Sequence, residues 1–112
     1  MIKYSYICNM EPVKRKLSVE KLKSVANLLK TISHPVKLEI LSVLEAQEPL
    51  DVSTICSRIG VVCESSMMSH HLAKMKDNGI LVSDKIGKQV YYKIADRHIL
   101  KIFDCMENCD LV

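Results

Sequence analysis

The chain contains little of what sheet-rich or membrane-spanning proteins need. It has no tryptophan, one phenylalanine and four tyrosines, so aliphatic side chains must form most of its core. Three glycines and three prolines supply few tight turns, which argues against a many-stranded sheet or barrel. The apolar runs are only a few residues long, whereas a helix needs about 20 consecutive apolar residues to cross a bilayer. We therefore expect a soluble domain without a large sheet.

Length and composition predict one folded domain preceded by a basic arm. The chain has 112 residues, of which 48% are hydrophobic and 26% charged, as in a globular protein with one core. We expect a flexible basic arm over residues 1–16 and a folded domain over 17–112. The net charge is only +3, but the cations concentrate in 14–23 and 74–93, and the C-terminal stretch is acidic. This distribution predicts one face for a polyanion and another for a different contact.

The cysteines do not suggest a disulfide framework, because there are five of them, an odd number. No pair has the Cys-x-x-Cys spacing of a zinc ribbon or a redox motif. No charged segment followed by an apolar one opens the chain, so we expect no secretion signal. Reduced thiols and a cytoplasmic location are therefore predicted.

Apolar spacing and helix-ending residues predict five helices and one β-hairpin. Ser18 can cap the first helix, and Pro35 suits the first position of the second. After the fourth helix the apolar period changes to two, which is typical of strands. The expected elements are helices over 18–33, 36–46, 51–60, 65–78 and 96–112, and strands over 80–85 and 90–94 with a tip at 86–89. This order predicts a winged helix-turn-helix that is mainly α with a small β-hairpin.

Three of the helices have apolar residues that we expect to be buried. The first helix has a stripe at helical spacing: Leu22, Val25, Ala26, Leu29 and Ile32. The second is apolar over most of its surface and is predicted to be the central helix. The short third helix has a smaller inward set: Val52, Ile55, Cys56 and Ile59. Cys56 is therefore interpreted mainly as a core residue.

The fourth helix has one apolar face and one small polar face. At 100° per residue Met68, Leu72 and Met75 fall within about 60° of one another, so they are expected to face the core. The opposite face, flanked by Met67 and Lys74, carries short or polar side chains: Ser66, Ser69, His70, Ala73 and Asp77. Short side chains let a helix approach base edges in the major groove, and Lys74 can reach phosphate. An ordinary solvated face is the alternative interpretation.

The hairpin tip and His71 help to decide whether the polar face of the fourth helix binds DNA or is only solvated. The hairpin tip carries Lys85 and Lys88 beside Gly87, which suits the minor groove or the DNA backbone, although a solubilising turn would have the same composition. His71 lies nearer the core boundary, and we expect a structural role for it. The combination of a short helix, a polar-faced helix and a basic hairpin favours DNA binding.

Three runs of sequence occur in the order of one known family. They are Leu29–Leu41, with Ser33-His34-Pro35 at its centre, Ser66–Met75, and Gly79–Val82 followed by Gly87–Ile94. They resemble the entry signature, the recognition helix and the wing of the ArsR/SmtB family of bacterial winged-helix repressors. The resemblance covers about residues 20–100.

The resemblance implies a homodimeric repressor, joined through its first and last helices, that binds an inverted-repeat operator and leaves it when an inducer binds. Carried over position by position, the DNA-contacting residues are Ser65, Ser66, Ser69, His70 and Lys74, with Lys88 from the wing. The loop Val61–Glu64 is about two residues longer than the family's usual loop, which leaves the tilt of the recognition helix open.

The family's inducer sites are only partly present. The soft-metal motif Cys-Val-Cys is replaced by Asp51-Val52-Ser53, and the thiol-sensing motif Ile-Leu-Cys by Ile40-Leu41-Ser42. The branch that senses zinc, cobalt or nickel on its last helix has metal ligands that correspond here to Asp96, His98 and Cys109. The usual fourth ligand falls on Val112, which cannot bind a metal.

The last helix admits three interpretations. Its residues at 4-3-4-3 spacing are His98, Ile102, Cys105, Cys109 and Val112. This stripe is typical of a dimer seam in which cysteines act as small apolar residues. Two antiparallel copies crossing near Phe103 would also place His98 beside Cys109 of the partner subunit, giving a transition-metal site across the seam. Alternatively Cys105 and Cys109, joined by Cys8 from the arm, could bind a thiophilic ion or be oxidised.

We predict a sequence-specific DNA-binding repressor that is released by a metal ion or a thiol-reactive inducer. One alternative is a winged-helix module for protein contacts, and another is a regulator that senses no inducer. An enzyme is not expected, because no Asp or Glu is spaced to orient a Cys–His pair and no glycine-rich phosphate loop is present.

Overall fold

A computed structural model describes residues 16–61 and 63–110 of the protein. The helices are α1 (Val19–Ile32), α2 (Pro35–Ala46), α3 (Val52–Arg58), α4 (Ser65–Asp77) and α5 (Lys101–Glu107), with a 3₁₀ turn at Arg97–Leu100. The strands are β1 (Leu50–Asp51), β2 (Leu81–Ile86) and β3 (Gln89–Ile94). A winged helix-turn-helix that is mainly α is thereby confirmed. The arm predicted for 1–16 lies, apart from its last residue, outside the described residues.

Polar side chains fix the starts of the first three helices. Ser18 Oγ accepts a hydrogen bond from the backbone N–H of Lys21 at 3.0 Å, and Asp51 Oδ1 accepts one from Thr54 at 3.3 Å. His34 Nδ1 accepts from the N–H of Val36 at 3.1 Å. Each of these acceptors satisfies an N–H that has no partner inside its own helix. The predicted helix starts at Ser18 and at the His34-Pro35 step are therefore confirmed.

Helix α2 is the central helix of the core, as predicted. Its inner side chains Ile40, Leu41 and Leu44 are fully buried. They belong to a cluster with buried residues of α3, α4 and β2: Ile55, Met68, Leu72, Met75 and Leu81. The core is therefore mainly aliphatic, as the small number of aromatic residues predicts.

The sheet has three antiparallel strands in the order β1-β3-β2, one more than the sequence predicted. The additional strand, β1, pairs Leu50 with Tyr92. Two residues are too few to show a period of two, so the sequence carried no signal for it. The hairpin turn is also shorter than predicted, because Ile86 pairs with Gln89 and only Gly87-Lys88 connects the strands. Gly87 has φ +64°, as two-residue hairpin turns require.

The predicted burial of the α1 stripe is wrong within one protomer. The side chains of Leu22, Leu29 and Val25 are 51%, 49% and 37% exposed, and only Ile32 at the C-terminal end is buried. The reason is geometric: α1 contacts the core only through its C-terminal part, where Ile32 is buried and Leu28 packs partly against the cluster, while the rest of the helix extends past it. Its apolar face therefore remains uncovered in the isolated chain.

The prediction of one continuous last helix is also wrong. The segment begins as the 3₁₀ turn, continues as α5, and ends at Glu107 with Asn108 as its C-cap. Cys109 therefore lies past the helix end, so the 4-3-4-3 stripe does not run along a single α-helix. In the part of the chain that the structure describes, no helix combines the length and the apolar character that crossing a membrane demands.

Candidate nucleic-acid interface

Helix α4 has the two faces predicted for it. Met68, Leu72 and Met75 have no solvent exposure and lie in the central cluster. The opposite side is exposed and carries the predicted set, flanked by Met67 and Lys74: Ser66, Ser69, His70, Ala73 and Asp77. Ser65, the first residue of α4, is also exposed. The buried methionines thus hold the helix to the protein while short polar side chains face solvent. This arrangement suits the approach of a helix to base edges in a major groove.

The C-terminal end of α4 is fixed by its own capping groups. Asn78 Nδ2 donates to the carbonyl oxygen of Lys74 at 2.8 Å, and the backbone N–H of Gly79 donates to that of Lys76 at 2.9 Å. Gly79 has φ +78°, a conformation that favours glycine after a helix. The predicted stop at Asn78-Gly79 is therefore confirmed, and the chain turns directly into β2.

A carboxylate of α2 holds the loop between α3 and α4. Glu39 Oε2 accepts a hydrogen bond from the backbone N–H of Gly60 at 2.7 Å, and its Oε1 accepts one from Val61 at 2.9 Å. Both hydrogen bonds are accepted by an ionised carboxylate, and such charge-assisted bonds are stronger than bonds between neutral groups. We infer that Glu39 fixes the start of the longer loop that leads to the exposed helix. Sequence reasoning missed it, because its partners lie 21 and 22 residues away.

Two histidines join the start of α2 to the inner edge of α4. The ring centroids of His34 and His71 are 4.7 Å apart, with an angle of 43° between the planes. His71 is buried, and burial lowers its pKa, aided by the nearby charges of His34, Lys37 and His70. The predicted structural role of His71 is consistent with this packing. The contribution of His34 was missed, because the sequence showed it only as the residue before a proline.

The side of the interface next to α2 is positively charged. Lys37 is half-buried in the first turn of α2, and its pKa is lowered by burial and by the charge of Lys74. An anion beside this pair would relieve the repulsion between the two ammonium groups. Lys37 extends the predicted basic surface and was missed, since it lies in an otherwise apolar helix.

The wing presents its predicted cations and has a firmly attached base. Lys85 and Lys88 are exposed at and beside the turn. At the other end of β3, Glu48 accepts hydrogen bonds from the N–H of Ile94 at 2.9 Å and from Arg97 Nη1 at 2.8 Å. The wing is thus anchored to the loop after α2, and its basic tip projects from a fixed base.

The candidate inducer residues near the C-terminus are only partly assembled in one protomer. Asp96 Oδ1 accepts from the backbone N–H of His98 at 2.9 Å and lies 2.7 Å from His98 Nδ1. The N–H bond lowers the pKa of Asp96, which acts as the helix N-cap. Cys105 is exposed and Cys109 half-buried beyond α5. No group of three potential metal ligands occurs within 16–61 and 63–110, and both Cys8 and Val112 lie outside these residues.

The other two described cysteines belong to the helix-turn-helix. Cys56 of α3 is half-buried against the core, as its predicted inward position requires. Cys63, in the loop before α4, is also half-buried, and burial raises the pKa of its thiol, with further contributions from Cys56 and Glu64. A raised pKa keeps this thiol protonated near neutral pH and makes it a poor nucleophile.

The chain is similar to several bacterial transcriptional regulators. Over 80 residues it is 32% identical to the HTH-type transcriptional regulator NmtR of Mycobacterium tuberculosis, covering 71% of this chain and 64% of NmtR. Over 87 residues it is 25% identical to a transcriptional repressor SmtB homolog of Synechocystis, covering 78% of this chain and 64% of that protein. The match therefore spans just under two thirds of the length of these two relatives.

A third relative is matched in both sequence and structure. The chain is 33% identical over 82 residues to the transcriptional repressor PagR of Bacillus anthracis, covering 73% of this chain and 80% of PagR. The crystal structure of PagR superimposes with a TM-score of 0.67 over 80% of this chain and 99% of that chain, at 29% identity. No protein-family model matches the chain.

Proposed function

Since the chain belongs to the ArsR/SmtB family of winged-helix transcriptional regulators, we propose that it is a homodimeric repressor of operator DNA in the cytoplasm. The observation that carries this proposal is the orientation of α4. Its small polar face is exposed, and the methionines behind that face are fully buried. Major-groove recognition requires a fixed helix with short polar side chains toward solvent. The proposed function involves no catalytic step.

The exposed residues divide into base-reading and backbone-binding groups. Ser66, Ser69 and His70 carry hydroxyl and imidazole groups that donate and accept hydrogen bonds at base edges. Ser65, in the first turn of α4, and the ammonium groups of Lys74 and Lys88 contact phosphate. The first group sets sequence preference, while the second supplies affinity that depends on salt.

The dimer is formed through α1 and the C-terminal segment. A groove of about 490 Å³ runs between them, and its lining is mainly apolar: Val25, Leu28, Leu29, Ile99 and Ile102 with flanking polar residues. Leu22 and Met106 are exposed on the same two elements. A second copy of the chain covers this surface and sets the two α4 helices about 34 Å apart, in successive major grooves of an inverted repeat.

We propose that the inducer binds at the same seam, either as a transition-metal ion or through reactive thiols. A transition-metal ion is held by Asp96 and His98 with Cys109 of the partner subunit, a nitrogen, oxygen and sulfur set that zinc accepts. Alternatively Cys105 and Cys109, with Cys8, take a thiophilic ion or are oxidised. Either event changes how the two subunits pack, and hence the spacing of their α4 helices.

The DNA-binding part is tested by selecting duplexes from a random pool with the reduced protein and measuring affinity by gel shift. We expect the double variant Ser69→Ala/His70→Ala to bind the selected duplex at least about tenfold more weakly, since each lost base contact costs roughly 1–3 kcal/mol. Ser42→Ala changes an exposed serine of α2 and serves as the matched control. Recovery of no duplex, or an affinity without salt dependence, contradicts the proposal.

The inducer part is tested on the same complex with Zn(II), Cd(II), As(III) and a mild oxidant in turn. Release by Zn(II) that is lost in His98→Ala supports the metal site. Release by As(III) or the oxidant that is lost in Cys105→Ser/Cys109→Ser supports the thiol site. Unchanged DNA affinity under every challenge leaves the C-terminal segment as a packing surface only.

A further inference from the structure

One residue of the DNA-facing surface of α4 is neither polar nor small. Met67 is 47% exposed, whereas Met68 and Met75 on the same helix are fully buried. It lies in the first turn of α4, directly after the exposed Ser66. This exposed thioether is available for contact with a ligand that covers the first turn of α4, and such a contact would remove its apolar surface from water.

Helix geometry places Met67 at the edge of the proposed interface, in the first turn of α4. At 100° per residue its side chain is about 60° from that of His70 and about 20° from that of Lys74 around the helix axis. Lys74 marks the phosphate-facing flank of this surface and His70 its centre. Met67 therefore lies beside Lys74, on the side away from His70. It is nearer than either residue to the N-terminus of the helix, the end that enters the groove in this class of motif.

The major groove offers one apolar group among its hydrogen-bonding edges, the C5-methyl group of thymine. Methionine suits such a target, because its unbranched side chain adapts to the position of the methyl group and its sulfur is polarizable. We propose that Met67 recognises a thymine C5-methyl group in each half-site of the operator. This inference rests on the proposed function and adds a defined base to its specificity.

The test removes only the methyl group from the DNA. In the duplex selected as above, each thymine and its symmetry mate are replaced by deoxyuridine, one pair of positions at a time, and affinity is measured by gel shift. Base pairing is unchanged, so a loss reports the methyl contact. At one pair of positions we expect the wild-type protein to lose about fourfold per half-site, the value of one buried methyl-sized group.

Variants of Met67 assign that loss to this side chain. Met67→Gln, of similar length but polar, is expected to bind the thymine and deoxyuridine duplexes equally well, whereas Met67→Leu retains the preference for thymine. Val82→Thr changes an exposed apolar residue of β2 and serves as the control that keeps the full preference. Circular dichroism melting of each variant confirms that it is folded.

Two results overturn the inference while leaving the proposed function intact. One is specific binding by the wild-type protein with no position at which deoxyuridine weakens it. The other is the same deoxyuridine penalty in Met67→Gln as in the wild type, which would transfer the methyl contact to another side chain such as Ala73. Failure to select any duplex instead contradicts the proposed function itself.

Discussion

Helices α1 and α4 have similar apolar spacing, but the protein uses the two faces differently. In α4 the apolar side chains are fully buried within the protomer, whereas Leu22 and Leu29 of α1 remain about half exposed. Apolar residues at helical spacing thus predict a helix with a face to be covered. They do not say whether the covering surface belongs to the same chain.

This difference in burial separates a helix held in place within the protomer, α4, from a helix with an uncovered apolar face, α1. Burial of the inner face of α4 holds its outer face in a fixed orientation, and Glu39 and His34 add contacts from α2. The apolar face of α1 makes no such contacts inside the protomer, and for that reason we proposed it above as the dimer surface. Four measurements test this contrast.

The largest expected effect is on assembly. Replacing both Leu22 and Leu29 of α1 by glutamate would place four unpaired carboxylates in the proposed dimer seam, each at a desolvation cost of several kcal/mol. We expect a monomer at concentrations where the wild type is a dimer, and loss of operator binding with it. Analytical ultracentrifugation gives the mass. Val82→Glu, on the exposed side of β2, is the control and is expected to stay dimeric. If the Leu22/Leu29 double variant is still a dimer, α1 does not form the dimer interface.

The next effect separates the two faces of α4 itself. Met68→Ala opens a cavity in the central cluster, and we expect it to lower the free energy of unfolding by about 2–5 kcal/mol in urea titrations. Met67→Ala, one residue earlier and half exposed, is the matched control with an expected change within about 0.5 kcal/mol. Equal losses in the two variants would contradict the orientation on which the DNA interface depends.

A smaller effect is expected from the carboxylate that holds the loop before α4. Glu39→Ala removes the acceptor of the Gly60 and Val61 N–H groups. Because both groups are exposed and can bond to water instead, we expect a cost of about 0.5–1.5 kcal/mol. Hydrogen exchange of these two amides should become faster, while amides of α2 stay protected. Glu39→Gln keeps one acceptor oxygen and is expected to be intermediate. Glu45→Ala, on an exposed side of the same helix, is the control, and unchanged exchange in Glu39→Ala would show that the loop needs no such support.

The smallest effect concerns pH. The folded protein lowers the pKa of His71, so its unfolded state takes up a proton first as the solution is acidified. The contribution of His71 to stability is therefore complete well above the ordinary histidine pKa of about 6.5 and declines as the pH falls through and below it. His34, Lys37 and His70 face this ring, and none of them is anionic. Thermal melting of wild type and His71→Gln between neutral and mildly acidic pH should show a flatter profile for the variant.

Much of the protomer could be predicted from local sequence signals. Ser18, the His34-Pro35 step and Asn78-Gly79 set helix boundaries through hydrogen bonds and backbone conformations that involve near neighbours. The spacing of Met68, Leu72 and Met75 likewise determined which face of α4 is buried. These features depend on a few consecutive residues, so one sequence is enough to read them.

The rest depends on partners far along the chain. Glu39 reaches Gly60 and Val61, Glu48 reaches Ile94 across 46 residues, and β1 exists only because it pairs with β3. The continuous C-terminal stripe was predicted from an ideal helix, which the 3₁₀ turn and the end of α5 at Glu107 interrupt.

The sequence by itself determined the order of the helices and the β-hairpin, the polar face of α4 and the basic wing, because periodicity and capping act over a few residues. The tertiary structure decided what each apolar face covers, which side chains support α4, and where the last helix ends. The physical reason is that burial and long-range hydrogen bonds depend on distances that only the folded chain defines. On that basis the apolar face of α4 is buried within one protomer, while the apolar face of α1 stays exposed in it.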